Sequence, residues 1–600
     1  MPEEESGPRI GVYVCHCGSR IAGTLDVQAV AANAARLPHV VVARDHAHIC
    51  SDRAIRLLRR DIDERGLDHV VVASCSPLLR EHPFRPLLDG RTARPVTLHV
   101  VNLRDHDPSR HDGPAAATTR AEALVGAAVR RALGEMPGRA RGPIHPGVLV
   151  VGAGIAGIEA ALTLADSGQH VYLVERLPTI GGHMAAFEKI FPALDCAACI
   201  LTPKMAAARA HPNITLWTCS DVTTVDREDG AYRVQVTRRP RYVNEERCTG
   251  CLECVEACVY ADARFPDKFT LGLGMRKPVY MPFPDAVPNV AVIDRETCIA
   301  FAPGGCERPC VAACGERGAV DLAQGEEVVT IRVGAVVLAT GFRPFDVSRT
   351  PFYGYGMYPN VYTSLEVEHM LNGSGPTGGA IGLRDGHAPR SIAIVHCVGS
   401  RDITTNRWCS RVCCMSSLKL AHLLRARTGA EIFNFYIDMR TPGPAFEEFY
   451  QALLKEGVHF IRGRVAEVTD WALDPSEEGR LVIRVEDTLL ATVRRVPVDM
   501  VVLSVGLEPT AEADELARLF GIGRSPDGFF LEPHPKLVGK PGGTDGIFVA
   551  GCCEGPKDLN DSIAQAGAAA ADALAFVEGA GDPPLSAAGK ILRGPRDDRA

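Results

Sequence analysis

The chain has 600 residues, 65 of them Lys or Arg and 73 Asp or Glu, for a formal charge of −8. That length exceeds one hydrophobic core and predicts three or four domains, and 46% hydrophobic with 23% charged residues is the composition of a soluble globular chain. The charge balance argues against a nucleic-acid partner. No apolar run reaches the roughly 18 residues of a membrane span, and the acidic start MPEEESGPRI carries no signal-peptide core, so a cytoplasmic location is expected.

Residues 1–133 alternate predicted strands (10–14, 39–43, 69–73 and 96–101) with amphipathic helices (28–36 and 52–65). A polar stretch at 105–114 and an Ala-rich helix at 115–133 complete a small N-terminal α/β domain. A Pro/Gly linker covers 134–146. VLVVGAGIAGIEAALTLADSGQHVYLVER then opens a dinucleotide-binding domain over 147–242. A cysteine-rich insert takes 243–325, and the domain resumes over 326–390, where VVTIRVGAVVLATGF reads as a hairpin feeding a strand. NGSGPTGGAIGLRDGHAP, from Asn372, is a flexible loop by composition. A second α/β domain is expected over 391–506, a closing strand, turn and helix over 507–580, and a frayed tail over 581–600.

Gly152-x-Gly154-x-x-Gly157 stands between a strand and a helix. The first glycine permits the turn, the second lets backbone approach a pyrophosphate, and the third lets helix and strand pack closely. The helix N-terminus offers free N–H groups to phosphate. The next strand ends in Glu175, placed to hold a ribose hydroxyl. VVLATGF and GIFVAG make FAD the expected dinucleotide, because the pattern resembles thioredoxin-reductase-like flavoproteins built from two dinucleotide domains. That resemblance implies Gly341 and Gly551 near the cofactor, and Gly181 and Gly182 as a glycine pair near the flavin.

Twenty-one cysteines are many for a reducing compartment, and they fall in clumps, so metal ligation or redox chemistry is expected. Cys248-x2-Cys251-x2-Cys254-x3-Cys258 is the bacterial ferredoxin run, whose fourth cysteine serves the other cube. Cys248, Cys251, Cys254 and Cys314 are assigned to one [4Fe-4S] cluster, and Cys298, Cys306, Cys310 and Cys258 to the other. Zinc also binds CxxC pairs, but two sets of four suit two cubes better than one tetrahedral ion. Val259 stands where proline is usual, and PGGC lengthens the loop before Cys306.

After the strand at 391–395 a second glycine fingerprint is expected, yet the turn reads His396-Cys397-Val398-Gly399-Ser400. Cys409 and Cys413 are predicted i, i+4 on a helix, with Cys414 one step around and Cys397 on the strand-end loop. Buried cysteine as a small hydrophobe is the alternative. On the cluster reading, a nucleotide site has become a metal site, and direct hydride transfer from NAD(P)H is not expected.

VCHCGSRIAG, VVASCSP, GGHMA, DCAACILTPKM, the ferredoxin run, HCVGSRD…CSRVCCMSSLK and CCEGPKDLNDSIAQA together resemble the A subunit of heterodisulfide reductase over nearly the whole chain. The resemblance implies FAD, several [4Fe-4S] clusters and an electron-bifurcating hub with B- and C-type partner subunits. An electron-donating dehydrogenase or hydrogenase module, a ferredoxin-like acceptor and, by analogy, a homodimer are also implied. It makes Cys397, Cys409, Cys413 and Cys414 ligands of a cluster near the flavin, Lys419 a catalytic residue close to the ring, and Gln565 a cofactor contact. It also implies a further cluster on Cys15, Cys17, Cys50 and Cys75, most of which follow strand ends. Cys196 and Cys199 are read as a redox pair or as part of the flavin pocket, Cys552 and Cys553 as lining that pocket, and Cys219 as core. Many family members continue into a C-terminal ferredoxin domain whose motifs are absent up to Ala600, so the low-potential exit is expected on another polypeptide or not at all.

The expected fold is therefore α/β: a thioredoxin-reductase-like flavoprotein of two dinucleotide domains, an inserted α+β bacterial-ferredoxin domain, and a small N-terminal α/β domain. The expected function is an FAD and iron–sulfur electron-transfer component, bifurcating, that serves a disulfide-reducing partner. The alternatives are a non-bifurcating adaptor to a quinone- or disulfide-linked acceptor, and an NAD(P)H-dependent flavin oxidoreductase like glutamate-synthase small subunits.

Overall fold

The structure is a computed structural model, and it describes residues 7–75, 84, 96–104, 113–134, 144–228, 230–531 and 546–578. The expected polar stretch at 105–112, most of the linker, Ser76 and Pro77 of VVASCSP, and the tail beyond 578 lie outside the described residues. The chain forms two compact units, Met1–Gly142 with Leu531–Asp545, and Pro143–Phe530 with Gly546–Ala600.

In the first unit, strands Ile10–Cys15, Val40–His46, His69–Ser74 and Thr97–Asn102 make a parallel sheet in the order second, first, third, fourth. Two of these strands are buried along their whole length, without alternation, because helices cover both faces. Val12, Val14 and Val71 pack with Val30, Val125 and Val129 on one face. Tyr13, Val70 and Val72 pack with Ile55, Leu58 and Ile62 on the other. Asp26 and Ser51 cap helices Val27–Ala34 and Asp52–Arg65, accepting from the N–H groups of Ala29 and Ala54. Cys15 and Cys75 lie at the carboxyl ends of the first and third strands, the edge where parallel sheets place ligands.

The second unit repeats one plan. Its first half is a five-stranded parallel sheet ordered Ile547–Val549, Ala335–Leu338, Val148–Val151, Val171–Val174, Ile214–Trp217. An antiparallel sheet of Ser220–Glu228, Ala231–Arg238 and Glu327–Val333 accompanies it. Its second half is a five-stranded parallel sheet ordered Val361–Thr363, Met500–Val505, Ser391–Val398, Glu431–Tyr436, His459–Arg462. Its antiparallel companion is Val465–Thr469, Leu481–Asp487 and Thr492–Val498. Between Arg238 and Glu327 the chain builds the cysteine-rich segment. There two short strand pairs and helices Glu253–Glu256 and Pro309–Cys314 enclose Tyr242, Val290, Ile293 and several thiols.

VVTIRVGAVVLATGF is not a hairpin. Glu327–Val333 pairs with Ala231–Arg238, while Ala335–Leu338 enters the parallel sheet, so the chain crosses between sheets at Gly334. A β-carbon on Gly334 would stand 1.9 Å from the His145 carbonyl oxygen, which fixes glycine there. The Asn372 loop is tied down rather than loose. Asn372 Nδ2 donates to Phe187 O at 3.2 Å, Thr377 Oγ1 to Met370 O at 2.8 Å and Arg427 Nη1 to Gly379 O at 3.0 Å.

Gly334→Ala must push two backbones apart and is expected to cost about 1–3 kcal/mol. A lowered urea midpoint for the second unit, followed by tryptophan fluorescence, checks this.

Candidate functional site

The strand Val148–Val151 ends at Gly152, whose φ of 95° and closeness to Ala339 O (2.5 Å from a built β-carbon) admit no side chain. A β-carbon on Gly157 would lie 1.8 Å from Gly152 O, so helix Ile155–Asp166 starts hard against the turn. Its N-cap, Gly154, has no side-chain cap, and the space beside it is open to 4.0 Å. The first-turn N–H groups are therefore available to an anion. Gly181 N–H donates to Ala153 O at 2.8 Å, which holds the Gly181–Gly182 turn against the fingerprint.

Glu175 is buried and accepts from Ala153 N–H at 2.8 Å and Leu177 N–H at 2.9 Å. Burial pushes its carboxyl up, against the pull of those two donors. It braces the loop, and each oxygen keeps a lone pair for a hydroxyl. Thr340 Oγ1, beside the cradle, is buried with no partner among the described residues. Gly341, with φ of 71°, opens on empty space. Gln565 Oε1 accepts from Gly551 N–H at 2.9 Å and from Lys557 Nζ at 2.7 Å, and Nζ also donates to Gly551 O at 3.0 Å. Gln565 therefore acts through Gly551. A cradle too tight for β-carbons, free helix donors and an orphaned hydroxyl fit an FAD.

The second half has the same strand-turn position filled differently. His396 is buried and its Nε2 lies 3.0 Å from Asn434 Oδ1. Cys397, with φ of 60°, sits in a bulge of the strand Ser391–Val398. A β-carbon on Gly399 would lie 2.2 Å from the Phe345 ring, so that ring stands where a phosphate cradle would open. The helix begins only at Cys413 and runs to Thr428. Cys409 is thus on the preceding loop, a correction to its expected helical i, i+4 pairing. The loop cannot continue the helix because Arg411 takes φ of 56° and the buried Ser410 bonds Ser400 Oγ at 2.8 Å and Leu507 N at 2.9 Å.

Cys413 still meets Cys397, Cys414 and Cys409, and burial, then these neighbours, push its thiol well up. Burial pushes Cys414 up to about 11, with Cys397 and Cys409 adding repulsion. The Arg401 guanidinium stands beside Cys397 and binds Asp438 at 2.6 Å. In the insert, Cys254 is pushed up to about 12 by burial and by Cys248, Cys251, Cys310 and Cys314. Cys310 feels Cys298, Cys306 and Cys258. In the first unit, Cys75 is pushed up to about 11 by burial, Cys17 and Cys15, with Cys50 adding to them. These four thiols line a cavity of about 250 Å³ with Arg20, His48 and Arg104.

Backbone N–H groups point at sulfur in these sets: Cys17 N at Cys15 Sγ (3.3 Å), Ala319 N at Cys314 Sγ (3.2 Å) and Arg411 N at Cys409 Sγ (3.4 Å). At Cys15 the donors work against burial, which prevails and pushes the thiol up. Among the described residues no three His, Cys, Asp or Glu close tightly enough to hold a single metal ion.

Lys419 is buried, not on an exposed helix face. Its Nζ pairs with Glu368 Oε1 at 2.5 Å, donates to Lys189 O at 2.8 Å and lies 5.2 Å over the Phe187 ring. Glu368, on helix Ser364–Leu371, escapes sequence reasoning because a lone acid in a helix carries no signal of burial. Cys553 donates to Leu338 O at 3.2 Å and Ala550 O at 3.1 Å inside the core, so it packs under the sheet rather than lining a pocket. Cys552 donates to Lys557 O at 3.3 Å. Cys219 occupies a half-buried turn with φ of 52°, not the core. Cys196 and Cys199 are joined as a disulfide.

The fold and the glycine cradle define an FAD-dependent oxidoreductase, and residues 147–188 match the FAD dependent oxidoreductase family. The chain is 46% identical, over 98% of its length and 88% of the relative's, to the second A-type iron–sulfur subunit of the CoB–CoM heterodisulfide reductase of Methanopyrus kandleri. It is 44% identical, over 95% and 86%, to the A subunit of the H2:CoB–CoM heterodisulfide,ferredoxin reductase of Methanothermobacter marburgensis. Among solved structures, thioredoxin reductase of Lactococcus lactis aligns with 72% of this chain and 99% of its own at 13% identity and a TM-score of 0.40. The chain belongs to the family of iron–sulfur A subunits of heterodisulfide reductase. No helix among the described residues is long and apolar enough to cross a membrane.

Gly157→Ala is expected to weaken FAD retention at least tenfold through the 1.8 Å approach to Gly152 O, read as flavin per chain after gel filtration. Lys419→Met strips the buried Glu368 of its partner, at a cost of about 3–5 kcal/mol, and Lys419→Met with Glu368→Leu should recover most of it. Denaturation of the two variants checks the pair.

Proposed function

We propose that this chain carries electrons through [4Fe-4S] clusters and FAD to a partner that reduces a disulfide, as part of a heterodisulfide-reductase-like complex. The observation that supports it most is the altered second turn, where the Phe345 ring and four thiols stand in place of a phosphate cradle. When bound, FAD exchanges electrons singly or in pairs and each cubane exchanges them singly.

The chain's own part is to hold and tune. Cys397, Cys409, Cys413 and Cys414 would hold one cluster, and Cys15, Cys17, Cys50 and Cys75 another. Cys248, Cys251, Cys254 and Cys314 would hold a third, and Cys258, Cys298, Cys306 and Cys310 a fourth. The guanidinium of Arg401 beside Cys397 would favour the more negative, reduced state of a cluster held there and so would raise its potential. Gly152, Gly154, Gly157, Gly181, Gly182 and Gly341 would leave room for the dinucleotide, Glu175 would take a ribose hydroxyl, and Gln565 would hold Gly551 in place. Lys419 Nζ, tied to Glu368 and to Lys189 O, would have a third N–H left for the flavin ring.

The domain limits 1–133, 147–242, 243–325, 326–390, 391–506 and 507–580 serve as the working division. B- and C-type subunits, an electron-donating module and a ferredoxin-like acceptor are the proposed partners. The bifurcating form is favoured because one relative's name couples a heterodisulfide with ferredoxin as acceptors. A reducing compartment, the cytoplasm, suits so many unpaired thiols.

Cys413→Ser should lower iron by up to about four atoms per chain while FAD stays bound. Iron, sulfide and flavin counted on anaerobically purified protein check this, and unchanged iron would sink the ligand assignment. NADH added without a partner should leave the flavin band unbleached; rapid bleaching would restore the NAD(P)H oxidoreductase reading.

A further inference from the structure

Two cysteines stand apart from the four-sulfur sets. Cys196 and Cys199 are bonded to each other, with Cα atoms 5.2 Å apart, while every other cysteine is unpaired. The bond closes a loop of only two intervening residues. It therefore removes little freedom from the unfolded chain, and a stabilising role is weakly motivated.

Its position suits exchange chemistry. Cys196 is the N-cap of the 14-residue helix Ala197–Ala210, and its Sγ accepts from Cys199 N–H at 3.1 Å. Both the helix dipole and that N–H favour a thiolate on Cys196. Cys199 is exposed and Cys196 half-buried, so one sulfur can be reached and the other is placed to leave. The site is also joined to the interior. Cys196 pairs in register with Lys189, whose carbonyl accepts from Lys419 Nζ at 2.8 Å, so the bond lies one hairpin step from the buried Lys419–Glu368 pair.

We infer that Cys196 and Cys199 form a two-electron thiol–disulfide site of the chain's own, open to low-molecular-weight thiols and separate from the cluster thiols. A thiolate RS⁻ attacks Sγ of Cys199. The Cys199–S–R bond forms as the Cys196–Cys199 bond breaks, and Cys196 leaves as a thiolate. A second RS⁻ attacks the RS sulfur, releasing RSSR and leaving Cys199 as a thiolate. The two protons of the two RSH molecules end on Cys196 and Cys199. Two thiols are oxidised and one protein disulfide is reduced, and the reverse sequence re-forms the bond. A leaving thiol of low pKa speeds the first step. Neither cysteine belongs to a four-sulfur set, so failure of this couple would leave the cluster reading standing.

The test uses the full chain, purified anaerobically with its iron and flavin, and poised in glutathione buffers of rising reduced-to-oxidised ratio. Free thiols are alkylated without chaotrope, and the 196–199 peptide is read by mass spectrometry. The expected result is one reversible step from no label to two labels. In the reduced protein Cys196 should alkylate at pH 7 about tenfold faster than an ordinary exposed thiol. Cys199→Ser should keep that fast Cys196, Cys196→Ser should leave Cys199 slow, and both should hold the parent's iron and flavin. Opening of the bond only in chaotrope would overturn the proposal and make the bond structural. Loss of iron in either variant would also overturn it and make the two cysteines ligands. A Cys196 no faster than Cys199 would remove the leaving-group argument and with it the mechanism.

Discussion

Crowding of buried sulfur is the constraint around which the second unit and the small N-terminal sheet are arranged. A thiolate out of water is costly, and each further thiolate nearby raises the cost. Around Cys413 and Cys254 the burial and the neighbouring sulfurs act in the same direction, and both thiols are pushed far up. Such a set is tolerable as neutral thiols or as ligands of a positive inorganic core, and not as free thiolates. Backbone N–H groups aimed at Cys15, Cys314 and Cys409 are the local donors in these sets, and at Cys15 burial outweighs them and pushes the thiol up.

The same plan of parallel sheet and antiparallel companion appears twice in the second unit, and the two copies differ at one turn. In the first copy Gly152 and Gly157 bring strand and helix so close that only backbone lines the opening. In the second, Phe345 fills the corresponding place against Gly399, and the strand bulges at Cys397. Packing and strand register decide which copy can admit a pyrophosphate. The helix Cys413–Thr428 then starts with two sulfurs where the first copy starts with free N–H groups.

Two buried lysines are held by fixed oxygens. Lys557 is held by Gly551 O, Gln565 and Glu554, and Lys419 by Glu368 and Lys189 O. Each is tied to fixed oxygen acceptors, so little reorganisation is needed when charge nearby changes.

Much was legible along the chain because it depends on local spacing. The strand Val148–Val151, the glycine turn and the helix Ile155–Asp166 follow from a periodic apolar pattern and a fingerprint. The cysteine spacings proposed which sulfurs belong together, since a ferredoxin run is a short-range signal. Helix Asp52–Arg65 was readable from its apolar stripe. What the tertiary structure alone decided involves residues far apart in sequence or a choice among equals. Glu368 opposite Lys419, Phe345 against Gly399, and Gly334 as a crossing between two sheets all arise from long-range packing, which leaves no periodic trace. Spacing left Cys196 and Cys199 open between a redox pair and part of the flavin pocket, and the hairpin and helix that bring the two sulfurs into a bond are features of the tertiary structure.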